Sequence, residues 1–243
     1  MSETWRLLLT GPGEPGFNMA LDEALAIAVR RGWSPPTLRI YQWQQPAISL
    51  GCHQPLSVLG RFGEEPGVPI GVVRRPTAGG AVHHAEDVSY ALACDHRAMR
   101  GVRACWFYRQ FHAALGKVMG GRGGRRYALS LSRARSLPEA SRCFQSPIAN
   151  DLMCGRTKIA GAAQRRWRDG FLQQGTVLEP RLSHDRIALC IRMAWANVLE
   201  HRFVVDRLTV QERVLTDELW SKYCPWTPSS WPPVFRNASN PSR

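Results

Sequence analysis

Two stretches of the chain combine basic side chains with glycines in a pattern that suits the binding of an anion. The first, residues 74–84, reads RRPTAGGAVHH. Arg74 and Arg75 offer forked donors for a carboxylate or a phosphate, and Gly79 and Gly80 let the backbone approach a ligand closely. A basic β-turn with solvated arginines explains this stretch alone equally well. A Walker loop is excluded, because no lysine followed by serine or threonine comes after the glycines at the required spacing.

The second stretch, residues 143–166, reads CFQSPIANDLMCGRTKIAGAAQRR. Lys158 falls in an alternating strand pattern of small and apolar residues, an unfavourable place for an ammonium group unless it faces an anion or an acidic partner. Asp151 follows Asn150 and has the carboxylate that Mg²⁺ uses beside nucleotide phosphates, although an Asx-turn that opens a strand explains this pair equally well. Lys158 is therefore the strongest candidate for a catalytic residue.

Cys143 and two histidines are further candidates, and each also has an ordinary structural interpretation. Cys143 follows Arg142, whose positive charge can lower the pKa of a thiol and make it a nucleophile. It is one of seven cysteines, however, and most such thiols are inert. His83 and His84 have the chemistry of general bases or metal ligands, but histidines beside a loop are more often structural.

The composition indicates a cytoplasmic protein with an anionic partner. The chain has 243 residues, is 44% hydrophobic and carries a formal net charge of +13. Its apolar runs fall short of the roughly 20 residues that a membrane helix needs, and its first residues do not resemble a signal peptide. The seven cysteines include no CxxC pair, which argues against a zinc ribbon and a disulfide framework. A nucleic-acid binder is the alternative from another class, and the dispersal of the basic residues disfavours it.

Apolar periodicity predicts the elements that position the candidate residues. A helix is expected at 18–31 with Asn18 as its N-cap, another at 105–120, and two more at about 184–200 and 209–222. Residues 120–142 have no clean period and are expected to form an irregular connection. We find no internal repeat and no linker that would divide the chain. Strands are predicted at 5–9, 37–43, 47–52, 70–76, 88–94, 150–154, 157–167 and 170–180.

Five stretches, in this order, resemble the lipoate-protein ligase A and octanoyltransferase family, which is related in fold to the biotin-protein ligases. The resemblance implies an α+β catalytic domain over residues 1–226, with a mixed β-sheet flanked by helices and an acyl tunnel closed by the loop at 74–82. Residues 227–243 would form a proline-rich tail. The stretches are FNMALDEAL (17–25), LRIYQWQQPAISLGCHQ (38–54), RRPTAGGAVHH (74–84), NDLMCGRTKIAGAAQRR (150–166) and LQQGTVL (172–178).

The resemblance also implies a role for each matching residue. Lys158 would be catalytic and would neutralise the acyl and phosphate oxygens. Asn150 and Asp151 would meet an acyl-adenylate and its Mg²⁺. His84 would occupy a loop position that closes on the ligand. The residues expected to bind the substrate or the acyl-adenylate are Arg74, Arg75, Thr77, Ala78, Gly79, Gly80, Ala81, Val82, His84, Asn150, Ala160, Gly161, Ala162 and Gly175.

Two chemistries share this scaffold, and the sequence supports each in part. A ligase couples lipoate or octanoate to AMP with ATP and then acylates a lysine of an acidic lipoyl-domain protein. A transferase takes octanoyl from an acyl carrier protein through a cysteine thioester, and residues 143–147 (CFQSP) resemble the nucleophile segment of LipM-type octanoyltransferases. The patterns TAGGAV and NDL resemble the ligases instead.

These two patterns favour an ATP-dependent ligase, with transfer through Cys143 as the alternative. Two departures weaken that preference, since Ala78 replaces a family glycine and Gln174 stands where relatives often have histidine. The resemblance covers a catalytic domain only, so the C-terminal accessory domain of longer ligases is not expected. A monomer without a specific nucleic-acid partner is expected in either case.

Overall fold

The computed structural model describes residues 5–62, 71–97, 102–121, 126–132, 144 and 147–223, and the structural statements below concern these residues. The strands are β1 (Trp5–Gly13), β2 (Thr37–Trp43), β3 (Ala47–Leu50), β4 (Gly71–Arg74), β5 (Val82–His84), β6 (Val88–Asp95), β7 (Tyr127–Leu129), β8 (Leu152–Cys154), β9 (Thr157–Trp167), β10 (Gly170–Val177) and β11 (Phe203–Val205). The α-helices are α1 (Pro15–Arg30), α2 (Ala104–Gly120), α3 (His184–Leu199) and α4 (Val210–Tyr223), and a 3-10 helix covers Leu56–Arg61.

The strands form two sheets. The larger sheet has eight strands in the order β11-β1-β2-β6-β10-β9-β8-β7. Strand β1 is parallel to both of its neighbours, and the remaining pairs are antiparallel, so the sheet is mixed. In the smaller sheet, β3 lies between β4, to which it is parallel, and β5, to which it is antiparallel. The predicted α+β fold with a mixed sheet flanked by helices is confirmed.

The large sheet buries side chains on both faces. Leu7 and Phe171 point into the core under α2 and α3, whereas their neighbours Leu8 and Leu172 point into the core under α1 and α4. This alternation follows from the two-residue repeat of a strand, which sends successive side chains to opposite faces. A third, smaller core lies between the small sheet and the 3-10 helix. The described part of the chain includes no helix long and apolar enough to cross a membrane.

Helix α1 begins earlier than the sequence pattern indicates, and the prediction of Asn18 as its N-cap is wrong. The cap position is Glu14, and Pro15 occupies the first turn, where its fixed φ and missing N–H are tolerated. Asn18 lies inside the helix and is fully buried. Its Nδ2 donates to the carbonyl oxygens of Gly13 at 3.0 Å and Gln42 at 3.1 Å. Asn18 therefore joins the helix to the ends of β1 and β2.

Part of the connection expected at 120–142 is regular. Residues Tyr127–Leu129 form β7, which pairs with β8 through Ala128 and Met153. A strand of three residues is too short to show the alternation of polar and apolar side chains from which strands are predicted. Only its pairing with β8 reveals this element. Of this connection, the structure describes residues 120, 121 and 126–132.

Candidate active site

A cavity opens between the small sheet and the β9–β10 side of the large sheet. Its wall combines aromatic and aliphatic side chains with a few polar groups, as ligand pockets generally do. Helices α1 and α2 each contribute one side chain to it. The lining residues are Met19, Tyr41, Trp43, Ser49, Arg75, Gly79, Gly80, Val82, His84, Ser89, Tyr108, Phe144, Ile148, Lys158, Gly161, Ala162, Ala163, Gln174, Gly175 and Thr176.

Lys158 lines this cavity as one half of a buried ion pair. Its Nζ lies 2.8 Å from Oδ2 of Asp151, and the side chains are 1% and 0% exposed. The strand β9 leaves room for the lysine because position 161 is glycine. A Cβ added at Gly161 would lie 2.7 Å from Lys158 Nζ, closer than real Cβ contacts allow. The Lys158 side chain thus occupies space that a glycine at position 161 leaves open.

Asp151 is held by three groups of this chain, so the prediction that it binds Mg²⁺ does not fit the structure. Besides the lysine, the Ile148 backbone N–H donates to Oδ2 at 2.8 Å, and the Tyr108 hydroxyl donates to Oδ1. A magnesium ion would have to displace an ammonium group from the same carboxylate. No group of three or more His, Cys, Asp and Glu side chains among the described residues could hold a metal ion. Asp151 instead acts as the counter-ion of Lys158.

A buried histidine supports the turn that leads into Asp151. Asn150 has a left-handed φ of 67°, and its carbonyl oxygen accepts a hydrogen bond of 2.7 Å from Nδ1 of His112 on α2. Burial lowers the pKa of His112 to about 4, against the opposing effects of the Asn150 carbonyl and of Asp151. The ring is therefore neutral at pH 7. The adenylate-binding role predicted for Asn150 finds no support in its position, since it is not among the residues that line the cavity.

Residues 75–81, between β4 and β5, form a loop that we call the glycine loop, and the Arg75 side chain holds it through backbone carbonyl oxygens. The Arg75 guanidinium donates to the carbonyl oxygens of Ser49 at 2.9 Å, Ala78 at 2.7 Å and Gly80 at 2.8 Å. Gly79 has a φ of +96°, and a Cβ there would lie 3.0 Å from the Arg75 guanidinium. Arg75, Gly79 and Gly80 all line the cavity, and that they bind the substrate stays a prediction. These hydrogen bonds give Arg75 the additional task of shaping the loop.

Several residues that the resemblance assigns to substrate binding are placed elsewhere. The Arg74 guanidinium donates to the carbonyl oxygens of Gly51 and Gln54, at 3.0 and 2.5 Å. The Thr77 hydroxyl donates to Gln174, whose Nε2 in turn donates to Asp22 at 2.7 Å. These contacts anchor the loop to the end of β3 and, through Gln174, to α1. The predicted residues that do not line the cavity are Arg74, Thr77, Ala78, Ala81, Asn150 and Ala160, and those that do are Arg75, Gly79, Gly80, Val82, His84, Gly161, Ala162 and Gly175.

His84 lies on β5 in the cavity wall, so the prediction of a closing loop position for it is corrected. Its Nδ1 donates to Asp87 at 2.9 Å, its Nε2 lies 2.8 Å from Ser49 Oγ, and its ring stacks on Trp43 at 4.0 Å. Burial would raise the pKa of Asp87, but the His84 ring and hydrogen bonds from Thr176 and Ser89 outweigh burial and lower it. A hydrogen-bonded chain thus runs from Asp87 through His84 and Ser49 to Arg75 and the glycine loop.

The side chains of this site that are not predicted from the sequence include Ser49, Trp43, Asp87 and Tyr108. Tyr108 lies in α2, whose sequence pattern predicts only an apolar face that covers the sheet. A polar residue on that face is the only feature of the sequence that could have indicated a role for Tyr108 in the site. Asp87 follows His84 by three residues, a spacing that could suggest a carboxylate partner for the ring.

Cys143, the predicted nucleophile of the transferase alternative, lies outside the described residues. The residue that follows it, Phe144, is half-buried and lines the cavity. The Phe144 ring centroid lies 5.3 Å from Lys158 Nζ, within range of a cation–π contact. The residue that directly follows Cys143 in the sequence therefore lies in the cavity wall.

Comparisons with known proteins identify relatives by sequence and by fold. Residues 14–181 match the family model described as the lipoyl protein ligase A/B catalytic domain. The octanoyltransferase LipM of Moorella thermoacetica is 35% identical in an alignment that covers 73% of this chain and 66% of that protein. The octanoyltransferase LipM of Kyrpidia tusciae is 36% identical in an alignment that covers 91% of this chain and 96% of that protein.

Solved structures with low sequence identity share the fold. A bipartite lipoate protein ligase from Thermoplasma acidophilum is 20% identical, has a TM-score of 0.68, and covers 90% of this chain and 93% of its own. LipL1 of P. falciparum, in complex with lipoate, is 13% identical and has a TM-score of 0.62. The match covers 89% of this chain and 71% of that one. These similarities establish the architecture and leave the reaction to be argued from the site.

Proposed function

Because the chain belongs to the lipoyl protein ligase A/B catalytic domain family, we propose that it is an octanoyltransferase, which moves octanoyl from a carrier-protein thioester to a lysine of an acidic lipoyl domain. The observation that carries the proposal is that Lys158 and Phe144, the residue after Cys143, line one cavity. The relatives named octanoyltransferase LipM support this alternative over the ligase that the sequence patterns favour.

The first step would load the enzyme. The Cys143 thiolate attacks the carbonyl carbon of the octanoyl thioester, a sulfur–carbon bond forms, and the negative charge moves to the carbonyl oxygen. The carrier sulfur then leaves as a thiolate and takes up the proton that Cys143 had lost. Lys158 has the charge to stabilise both the attacking thiolate and the oxyanion, and its side chain is 1% exposed, so little water would screen that charge.

The second step would deliver the acyl group. The neutral amine of the acceptor lysine attacks the same carbonyl carbon, the nitrogen–carbon bond forms, and the bond to Cys143 sulfur breaks. The amine proton passes to the departing thiolate, which returns the enzyme to its starting state. Orientation contributes strongly to such a step, because it turns an encounter between two proteins into a reaction within one complex.

The cavity wall has the character that an alkyl chain needs. Met19, Tyr41, Trp43 and Val82 line the same cavity as Lys158 and the glycine loop and present apolar surface to it. Burial of an alkyl chain gains roughly 0.8 kcal/mol for each methylene group removed from water. We therefore assign the octanoyl chain to this wall and its carbonyl group to the end with Lys158 and Gly79.

The position of Asp151 removes one reason for preferring a ligase. The NDL pattern suggests a carboxylate for Mg²⁺, but Asp151 is the buried counter-ion of Lys158. No step of the proposed transfer uses a metal or ATP. A ligase would need both, so dependence on ATP separates the two chemistries.

The test is a paired assay with one purified protein. We expect octanoyl transfer from octanoyl carrier protein to a lipoyl domain without ATP, and its loss in Cys143→Ser. Cys105→Ser is a matched control, because Cys105 is an exposed thiol that does not line the cavity. ATP-dependent attachment of free octanoate or lipoate that survives Cys143→Ser would establish the ligase and overturn the proposal.

A further inference from the structure

Beside the cavity lies a surface of four arginines and one tryptophan. Its members are Arg30 and Arg31 at the end of α1, Arg165 and Trp167 on β9, and Arg168 in the β9–β10 turn. We call these five residues the arginine surface. The Arg30 guanidinium lies 4.3 Å from the Trp167 ring centroid, and that of Arg165 lies 5.0 Å from it. Arg31, Arg165 and Arg168 are exposed.

The arginine surface is continuous with the cavity. Ala163 lines the cavity, and Arg165 follows two residues later on the same face of β9, about 7 Å along the strand. The Arg165 guanidinium also lies 3.5 Å from the carbonyl oxygen of Pro76, in the loop that Arg75 holds. A molecule bound to this surface would therefore sit beside the glycine loop.

Three of the four arginines are held by contacts within the chain, and one of them, Arg31, has its guanidinium 4.7 Å from the Trp33 ring centroid. Stacking on Trp167 restricts Arg30 and Arg165, and a salt bridge from Arg30 Nε to Asp169 Oδ1 at 2.7 Å restricts Arg30 further. An ordered guanidinium loses less side-chain entropy when it pairs with a carboxylate than a free one does. Asp169 is already paired, so the surface presents an excess of positive charge to solvent.

We infer that the arginine surface docks the acidic carrier protein that delivers the octanoyl thioester. This inference rests on the proposed function and identifies the donor's binding surface. A carrier must remain outside the cavity while its flexible arm reaches Lys158, so its body needs a surface at the cavity rim. Opposite charge there would steer the encounter and fix the orientation, which makes loading fast and sensitive to salt.

The test reverses charge on the surface without touching the cavity. Arg31→Glu with Arg168→Glu is the test variant, and Arg202→Glu with Arg213→Glu is the control, which makes the same charge change at exposed positions next to β11 and on α4. Loading of the enzyme is followed by intact mass in single turnover, once with octanoyl carrier protein and once with the small neutral thioester octanoyl-pantetheine. Binding of the carrier protein is measured separately by calorimetry.

We expect the test variant to load from the carrier protein about 10- to 100-fold more slowly and to bind it correspondingly more weakly. Loading from octanoyl-pantetheine should be unchanged, and the control should behave like the original protein in every assay. Equal losses with both thioesters, equal losses in both variants, or a loss confined to delivery to the lipoyl domain would overturn the inference. Weaker RNA binding without slower loading would assign the surface to nucleic acid and would also overturn it.

These outcomes separate the inference from the proposed function. If neither thioester loads the original protein, the transferase proposal fails. Calorimetry then still decides whether the arginine surface binds an acidic carrier protein.

Discussion

Two fully buried charge pairs, Lys158–Asp151 and Arg39–Asp22, resemble each other in burial and differ in what surrounds the cation. The Arg39 guanidinium is enclosed by Asn18, Thr10 and Asp22, with hydrogen bonds between 2.6 and 3.0 Å. Lys158, in contrast, lines the cavity, and Arg39 does not. Burial of a charge therefore does not by itself indicate a functional site. The distinguishing feature is whether a ligand can reach the charge.

The two carboxylates of these pairs, Asp22 and Asp151, also differ in the groups that they bind. Burial raises the pKa of Asp22, although Arg39 and hydrogen bonds from Gln174 and Tyr41 oppose the effect. That carboxylate ties α1 to β2, since Tyr41 donates to it at 2.9 Å. Asp151 serves an ammonium group at the cavity wall. We therefore expect removal of the first pair to affect stability and removal of the second to affect catalysis.

The largest effect is expected for Lys158→Met. Octanoyl transfer should fall about 10³-fold, because the charge that stabilises the oxyanion is lost. The change also leaves Asp151 buried without its cation, which destabilises the fold. The double variant Lys158→Met, Asp151→Asn should recover thermal stability while transfer remains lost, as measured by calorimetry and a transfer assay. Recovery of transfer in the double variant would remove Lys158 from the mechanism.

Arg39→Met should have the opposite profile. Leaving Asp22 unpaired in the core should lower the free energy of unfolding by about 3 kcal/mol, as measured by urea unfolding. Turnover per folded molecule should change only a few-fold, because Arg39 does not line the cavity. A loss of turnover as large as that of Lys158→Met, at unchanged stability, would contradict the division between the two pairs.

The Lys158 region should also carry a pH dependence of stability, which arises from His112. The pKa of His112 is about 4 in the folded protein, against an ordinary value of 6.5, so between these values the unfolded chain binds the extra proton. Stability should therefore fall by about 2–3 kcal/mol as the pH drops from 7 to 4.5. Urea unfolding at both pH values tests this, and His112→Gln should lose this part of the slope. An unchanged dependence of the unfolding free energy on pH in His112→Gln would show that His112 is not held neutral in the folded protein.

The smallest effect is expected for Tyr108→Phe, which removes one of the donors to Asp151. Transfer should fall about 10-fold, the effect of losing one hydrogen bond to a charged group of about 1.5 kcal/mol. Tyr127→Phe is the matched control, because its hydroxyl donates to Glu179 at 2.8 Å and it does not line the cavity. Equal activity of the two variants would mean that Tyr108 does not help to position Lys158.

The sequence predicts the cation of the site more reliably than its partners. Lys158 is identifiable because an ammonium group in a strand of small residues has no ordinary explanation. Asp151 is identified as polar but assigned to a metal, since nothing in the sequence shows that the register of β8 and β9 brings the two residues together. The predicted roles of the remaining site residues stay predictions.

The elements of the fold follow from local patterns where the pattern is long. The helices α2 and α3 appear close to their predicted ranges, because each has an apolar face repeated over several turns. Helix α4 also lies close to its predicted range, although its buried residues are Glu212, Thr216 and Tyr223 and form no such apolar face. Local patterns fail where tertiary contacts decide, as with Asn18 inside α1 and His84 on β5. The connections from Asp87 to the glycine loop and from Tyr108 to Asp151 join distant segments, so a single sequence contains no signal for them.

The most direct test of the central claim is a crystal structure of the protein after reaction with an octanoyl thioester. We expect the acyl group on Cys143, its carbonyl oxygen about 2.7–3.1 Å from Lys158 Nζ, and the alkyl chain between Tyr41 and Val82. An octanoyl group bound on another residue, or a carbonyl oxygen beyond hydrogen-bonding distance of Lys158 with the cavity empty, would contradict the claim.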